Sequence, residues 1–133
     1  MTRDSAVLDA SAFVRAFDGH EAATEWIRRG FVGDVELIAP ELILPETASA
    51  LLRYVRSGLA EVAEMVDALA DLRSAVAFVS LALLYPTAFE LALERGLSAY
   101  DACYVALAES AGAVLVTADR RLAAATGRAE LIA

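Results

Sequence analysis

Apolar residues along this chain fall into short runs and helically spaced segments, and glycine, proline or a carboxylate closes most of them. Ala6-Val7-Leu8 is a β-type run ending at Asp9, and Ala12 to Phe17 then takes up helical spacing, with Ser11 expected as its N-cap. A second helix is expected over residues 21–29, with Ala22, Trp26 and Ile27 on its apolar side, Arg28 and Arg29 outward, and Gly30 and Gly33 closing it. Val35 to Ala39 reads as a strand. Pro40 is expected to open a helix to about Ser57, in which Pro45 must either kink the helix or mark its true start, because it lacks a donor and crowds the preceding turn.

Residues 61–72 have amphipathic helical spacing, and 76–81 form a third strand of weak alternation. Pro86 is placed near the start of a helix that continues through Glu94 and ends at Gly96. Ser98-Ala99-Tyr100-Asp101 resembles a helix N-terminus, with Ser98 as cap and an acid at the third position; that helix runs to Ser110 and stops at Gly112. Ala113 to Val116 is a fully apolar strand, Thr117-Ala118-Asp119 turns into a short helix over 120–125, and Leu131-Ile132 supply a last edge strand.

Short apolar strands alternating with helices, with no repeat and no linker, indicate an α/β fold: a mainly parallel sheet covered by helices on both faces, giving three layers. Ligands in such sheets bind beyond the carboxyl ends of the strands, near a switch in strand order. Asp9 and Asp119 fall at such ends.

At 133 residues the chain is the length of one domain, taken as 1–133. Its hydrophobic fraction of 59% looks membrane-like, yet Arg, Asp or Glu interrupts every candidate span before the roughly 18 residues that a bilayer crossing takes. The opening Met1-Thr2-Arg3-Asp4 has no export-signal pattern, so a cytoplasmic protein is expected. Cys103 is the only cysteine, which leaves no internal disulfide and no CxxC zinc or redox motif.

A net charge of −8 excludes gripping nucleic acid through a broad basic surface, but not reaching phosphates through a bound metal. The sequence contains no Lys, Asn or Gln. P-loop chemistry, Schiff bases and the Asp/Lys receiver site are therefore excluded together.

Two apolar strands, before Asp9 and before Asp119, each deliver a carboxylate at their carboxyl end, and neighbouring strands lie about 5 Å apart. Asp101, at a helix start, points to the same edge in this reading. Glu46 shares a helical line with Ser49, Ala50 and Arg53, while Leu44, Leu51, Leu52 and Val55 form the packing side. Taken singly, Asp9 and Asp119 also suit helix starts, Asp101 a capping acid and Glu46 a solvent-facing position. Together they are more telling. Carboxylates held close repel, and with no Lys the neutralising charge must be Arg or a metal. Oxygen-only donors select a hard ion, Mg²⁺ or Mn²⁺, that keeps waters and accepts a phosphate. The chemistry implied is metal-assisted phosphodiester hydrolysis.

Val7-Leu8-Asp9-Ala10-Ser11, Pro45-Glu46 followed by Ala50-Leu51-Leu52, Leu97-Ser98-Ala99-Tyr100-Asp101-Ala102 leading into Ala106-Leu107-Ala108, and Leu115-Val116-Thr117-Ala118-Asp119-Arg120-Arg121-Leu122 together resemble the PIN-domain family. Within it the sequence is most similar to VapC-type toxins of toxin–antitoxin pairs. Each motif is weak alone; the ordered set is specific and spans essentially the whole chain. The resemblance implies a parallel five-stranded sheet between helices and a Mg²⁺- or Mn²⁺-dependent endoribonuclease. The family's acidic quartet falls on Asp9, Glu46, Asp101 and Asp119, with Asp9, Asp101 and Asp119 as metal ligands, direct or through water. Glu46 becomes a further ligand or the base that orients water, and Ser11 and Thr117 hold the carboxylates by hydrogen bonds. The resemblance also implies RNA as substrate, a VapB-like antitoxin whose tail covers the acidic groove, and a homodimer or higher toxin–antitoxin assembly. The acidic balance suits a basic antitoxin segment, and residues 48–55 and 61–72 offer surfaces for it and for the dimer.

Arg120 and Arg121, beside Asp119, are candidates for phosphate contact, and Arg15 and Arg53 are weaker ones. His20 reads as a turn or surface group, Cys103 and Tyr104 as packed positions, and Trp26 as core or a partner contact. A haloacid-dehalogenase-type phosphatase would need an acid where Ser11 stands, and a Lys. A non-catalytic module of the same fold, whose carboxylates bind a partner or a structural ion, is the stronger rival.

Overall fold

The structure, a computed structural model, describes residues 4–132, so the leader reading of Met1-Thr2-Arg3 lies outside the described residues. In chain order the elements are β1 (Asp4–Leu8), α1 (Ala10–Phe17), α2 (Glu21–Val32), β2 (Val35–Pro40), α3 (Ile43–Arg56) and α4 (Val62–Ala75). They continue as β3 (Ala77–Val79), α5 (Leu81–Arg95), α6 (Ala99–Ala111), β4 (Val114–Thr117), α7 (Arg120–Ala124) and β5 (Ala129–Leu131).

The five strands are all parallel, in the order β3-β2-β1-β4-β5. The chain therefore builds outward from β1 in one direction, then returns to the other side of β1 with β4. That reversal is the switch point at which parallel sheets open a crevice. The register aligns Leu8 with Val116, which brings the residues that follow the two strands, Asp9 and the Thr117–Asp119 turn, to one edge.

Helices α1 to α4 pack on one another, and α5 packs on α6, which lies against β1, β2 and β4. Residues Ala102 to Ala108 of α6 are buried on every side. Their mix of Ala, Cys, Tyr, Val and Leu is apolar all round, as a helix sandwiched between a sheet and another helix requires. The β1 residues Ala6, Val7 and Leu8 and the β4 residues Leu115 and Val116 are fully enclosed.

Several boundaries depart from the sequence pattern. Pro40 ends β2 instead of opening a helix; α3 begins at Ile43 and places Pro45 in its first turn, where the missing N–H breaks no bond and causes no kink. Pro86 is not near a helix start but inside α5, which Ser80 caps through Ala82 N at 3.2 Å. Both Pro86 and Ala82, whose carbonyl loses its helical donor, face solvent, so water can serve that oxygen. The run from Leu81 thus belongs to a helix, and β3 is only three residues long. Gly30 lies within α2, and the helix instead closes at Gly33 with φ 85°. Leu52 is exposed and not on the packing side of α3.

Candidate active site

Asp9 is the first residue past β1 and the N-cap of α1, a role the sequence pattern assigned to Ser11. The residue is 4% exposed. Oδ1 accepts the Ala12 N–H at 2.8 Å and the Ser11 hydroxyl at 2.7 Å, and Oδ2 accepts the Thr117 hydroxyl at 2.5 Å. Each hydroxyl has one proton and gives it to Asp9, so each oxygen is left to accept: Ser11 Oγ takes the Ala118 N–H and Thr117 Oγ1 the Asp119 N–H, both at 3.0 Å. Asp9 N also donates to Val116 O at 3.2 Å, so β1, β4 and both following turns are tied into one unit. Of about four lone-pair directions on the carboxylate, three are used. The remaining one, on Oδ2, has no hydrogen-bond partner among the described residues.

Asp119 caps α7 through Oδ1, which accepts Arg121 N at 2.9 Å and Leu122 N at 3.2 Å, and its side chain is exposed. Asp101 lies in the first turn of α6, partly buried, with its N–H donated to Ser98 Oγ at 3.0 Å as the cap pattern required. Glu46, in the first turn of α3, accepts the Tyr104 hydroxyl on Oε1 at 2.6 Å. Beside it opens a cleft of ≈ 390 Å³ lined by Leu42, Pro45, Glu46, Ser49 and Tyr100.

These four acids share one field. Burial holds the Asp9 carboxyl above its ordinary range against the pull of its hydrogen bonds, and the Asp119 charge adds to the rise. Glu46 is raised by burial and then by Asp101 and Asp9. Asp101 is raised by burial and by Asp119, with Arg121 opposing. Each pairing links residues from different elements, so each of the four acids lies within electrostatic reach of two others. Among the described residues, no three His, Cys, Asp or Glu side chains stand close enough together to hold a metal ion as they are placed. Oxygen donors alone, with one or two carboxylates within reach of an ion, suit Mg²⁺, which retains several waters, better than an ion that demands a full protein cage.

Arg121 reaches the site electrostatically through Asp101, and Arg120 beside it is exposed on the same short helix. Arg15 and Arg53 lie within electrostatic reach of Tyr54. His20 caps α2, accepting Ala23 N at 3.3 Å, and Trp26 is packed in the core with its indole N–H donated to Glu130 at 2.6 Å. The contact that sequence patterning missed is Tyr104. Its place three residues after Asp101, on the same side of α6, was the available signal.

The PIN domain family model matches residues 6–127. Ribonuclease VapC3 of Pyrobaculum aerophilum is 38% identical over 120 residues, covering 88% of this chain and 91% of that protein. The crystal structure of PAE2754 from Pyrobaculum aerophilum superposes with a TM-score of 0.76 at 30% identity, covering 99% of this chain and 92% of the other. A toxin–antitoxin complex from Klebsiella pneumoniae shares the fold, with a TM-score of 0.68 at 15% identity over 96% of this chain and 98% of the other.

Proposed function

This chain belongs to the PIN-domain family, in its VapC-type branch, and on that footing we propose that it is a divalent-metal-dependent endoribonuclease acting as the toxin of a toxin–antitoxin pair. The observation that carries this reading is the coupling of Asp9, Glu46, Asp101 and Asp119 across the β1/β4 switch point, with no lysine to neutralise them.

Asp9, Asp101 and Asp119 would hold a Mg²⁺ or Mn²⁺ ion, directly or through water. Bound there, the ion supplies Lewis-acid polarisation of a phosphoryl oxygen and a more acidic water. Ser11 and Thr117 fix the Asp9 carboxylate so that it presents one oxygen, which spares the site a reorganisation when charge develops. Glu46 serves as a further ligand of the ion or as the base that orients the attacking water, the second a role its raised proton affinity suits. Arg120 and Arg121 meet the flanking phosphates of the RNA. The partners in this reading are RNA, a VapB-like antitoxin with a basic segment facing the acidic groove, and a second copy of the chain. No helix among the described residues is long and apolar enough to cross a membrane, and the proposed place of action is the cytoplasm.

The rival reading, a module of the same fold that binds a partner or a structural ion without catalysis, draws on the absence, among the described residues, of three His, Cys, Asp or Glu side chains placed to hold an ion. Incubating the purified protein with a broad panel of structured RNAs, linear and circular, in Mg²⁺ or Mn²⁺ with and without EDTA separates the two. Cleavage of circular RNA that EDTA abolishes supports the endonuclease. No cleavage across the panel, or cleavage indifferent to EDTA, overturns it.

A further inference from the structure

Tyr104 is among the largest fully enclosed side chains, 2% exposed, on the segment of α6 that is buried on every side. Its hydroxyl nevertheless meets a carboxylate of the quartet: it donates to Glu46 Oε1 at 2.6 Å, joining α6 to α3. A buried phenol needs such a partner, because an unpaired hydroxyl away from water costs free energy. Glu46 gains more. A partly exposed glutamate in the first turn of a helix has three rotatable bonds and several accessible rotamers, whereas a packed tyrosine is a rigid post. Tyr104 also stands one helical turn beyond Asp101, so α6 supplies one carboxylate of the quartet and anchors another.

We infer that Tyr104 is a positioning residue for the metal site: by engaging Oε1 it fixes the orientation of Glu46 and leaves Oε2 as the oxygen offered to ion or water. The assignment rests on the metal-dependent nuclease reading and adds to it a residue outside the acidic quartet. Phenylalanine at this position fills the same volume, lacks the donor and leaves the carboxylate untethered.

The test is Mn²⁺ affinity, measured calorimetrically without RNA on the wild-type chain, Tyr104→Phe, Glu46→Ala and the double variant, with thermal melts to verify folding. Tyr104→Phe is expected to weaken Mn²⁺ binding about 10-fold, the lower end of what lost outer partners of metal ligands cost. In RNA cleavage the same variant lowers kcat more than it raises KM. In the Glu46→Ala background the Tyr104 change adds nothing, because its effect passes through that carboxylate. Equal losses in both backgrounds, or an unchanged affinity in Tyr104→Phe, overturns the assignment. If Tyr104→Phe does not fold, Glu46→Asp carries the test, since it keeps the buried ring and withdraws the carboxylate from it: a comparable loss supports the assignment and wild-type affinity overturns it. A wild-type chain that binds no Mn²⁺ overturns the reading of the whole site, and the role of Tyr104 with it. Tight wild-type binding with an indifferent Tyr104→Phe overturns the role of Tyr104 alone.

Discussion

Thr117 donates its hydroxyl proton to Asp9 Oδ2 at 2.5 Å and accepts the Asp119 backbone N–H at 3.0 Å, so one side chain at the end of β4 sets the geometry of two carboxylate-bearing turns. Thr117 and Asp9 are both buried, which leaves the Asp9 oxygen no ready alternative in water. Thr117→Val keeps the shape and removes both bonds. The expected cost is about 1.5–3 kcal/mol in urea unfolding, the range for a hydrogen bond to a charged group with a buried acceptor left unpaired. Thr117→Ser retains the hydroxyl and should recover most of the loss. Wild-type stability in Thr117→Val contradicts this account of the turn.

The acidic quartet makes the metal-free protein sensitive to pH in a defined direction. Asp9, Glu46 and Asp101 all bind protons more tightly folded than unfolded, through burial first and then through neighbouring carboxylates, Asp119 for Asp9 and Asp101, and Asp101 and Asp9 for Glu46. As pH rises, the unfolded chain loses these protons first, so this contribution to stability is complete below the ordinary carboxylate range and fades as pH passes through the raised folded values. Glu109, lowered by Arg95, works in the opposite direction but is common to variants at the site. Asp101 faces Asp119 and Glu46, with Arg121 and Ser98 opposing, so Asp101→Asn should relieve repulsion. In EDTA, its melting temperature should exceed that of the wild type by more at about pH 7.5 than at about pH 4, and Mg²⁺ should narrow the gap. A gap that is flat with pH, or widest in acid, refutes the coupling.

Thr47, next to Glu46, is fully buried and its hydroxyl has no hydrogen-bond partner among the described residues. Replacing an unpaired buried hydroxyl with a methyl of similar shape removes a desolvation penalty. Thr47→Val should raise stability by about 1 kcal/mol, or roughly 3 °C in a thermal melt, with RNA cleavage unchanged. A clear loss of stability would show that the hydroxyl is satisfied in solution.

Gly30 is an interior helix position where alanine would ordinarily help. A Cβ there would stand 2.4 Å from Leu37 Cδ1 and 2.8 Å from Leu37 Cγ, and Leu37 is itself buried in β2. Gly30→Ala should therefore destabilise by about 1–3 kcal/mol despite better helix propensity, as overpacked cores do. Adding Leu37→Ala should make the Gly30→Ala change favourable. Denaturant midpoints of the two backgrounds measure the difference.

The local signals that proved legible were those with one physical meaning. Ser98 could be read as a cap because an acid and a helical run followed it, and the strand before Asp119 because four apolar residues between two turn signals leave little else. Proline misled where its neighbours decided the outcome: Pro40 suits a helix start, but pairing with β3 at Val79 made it the end of a strand. Pro86 suits a helix opening, but the exposed face of α5 lets water serve the carbonyl it orphans. The choice of Ser11 over Asp9 as cap failed because both can cap, and only the position of Thr117, 108 residues away, shows which side chain turns inward. Tyr104 was only half legible: its spacing from Asp101 placed it on the side of α6 that carries an acid, but an aromatic in an apolar helix does not show that its hydroxyl meets an acid 58 residues earlier.

The central claim is that these carboxylates cut RNA together with a divalent ion. Its most direct measurement is single-turnover cleavage of a responsive RNA in Mg²⁺ or Mn²⁺ by the wild-type chain and by the Asp9→Asn/Asp119→Asn variant, after melts establish that both are folded. The expected result is cleavage by the wild type, lost on EDTA and restored by metal, with the variant slower by at least about 100-fold. Equal cleavage by the folded variant would contradict the account.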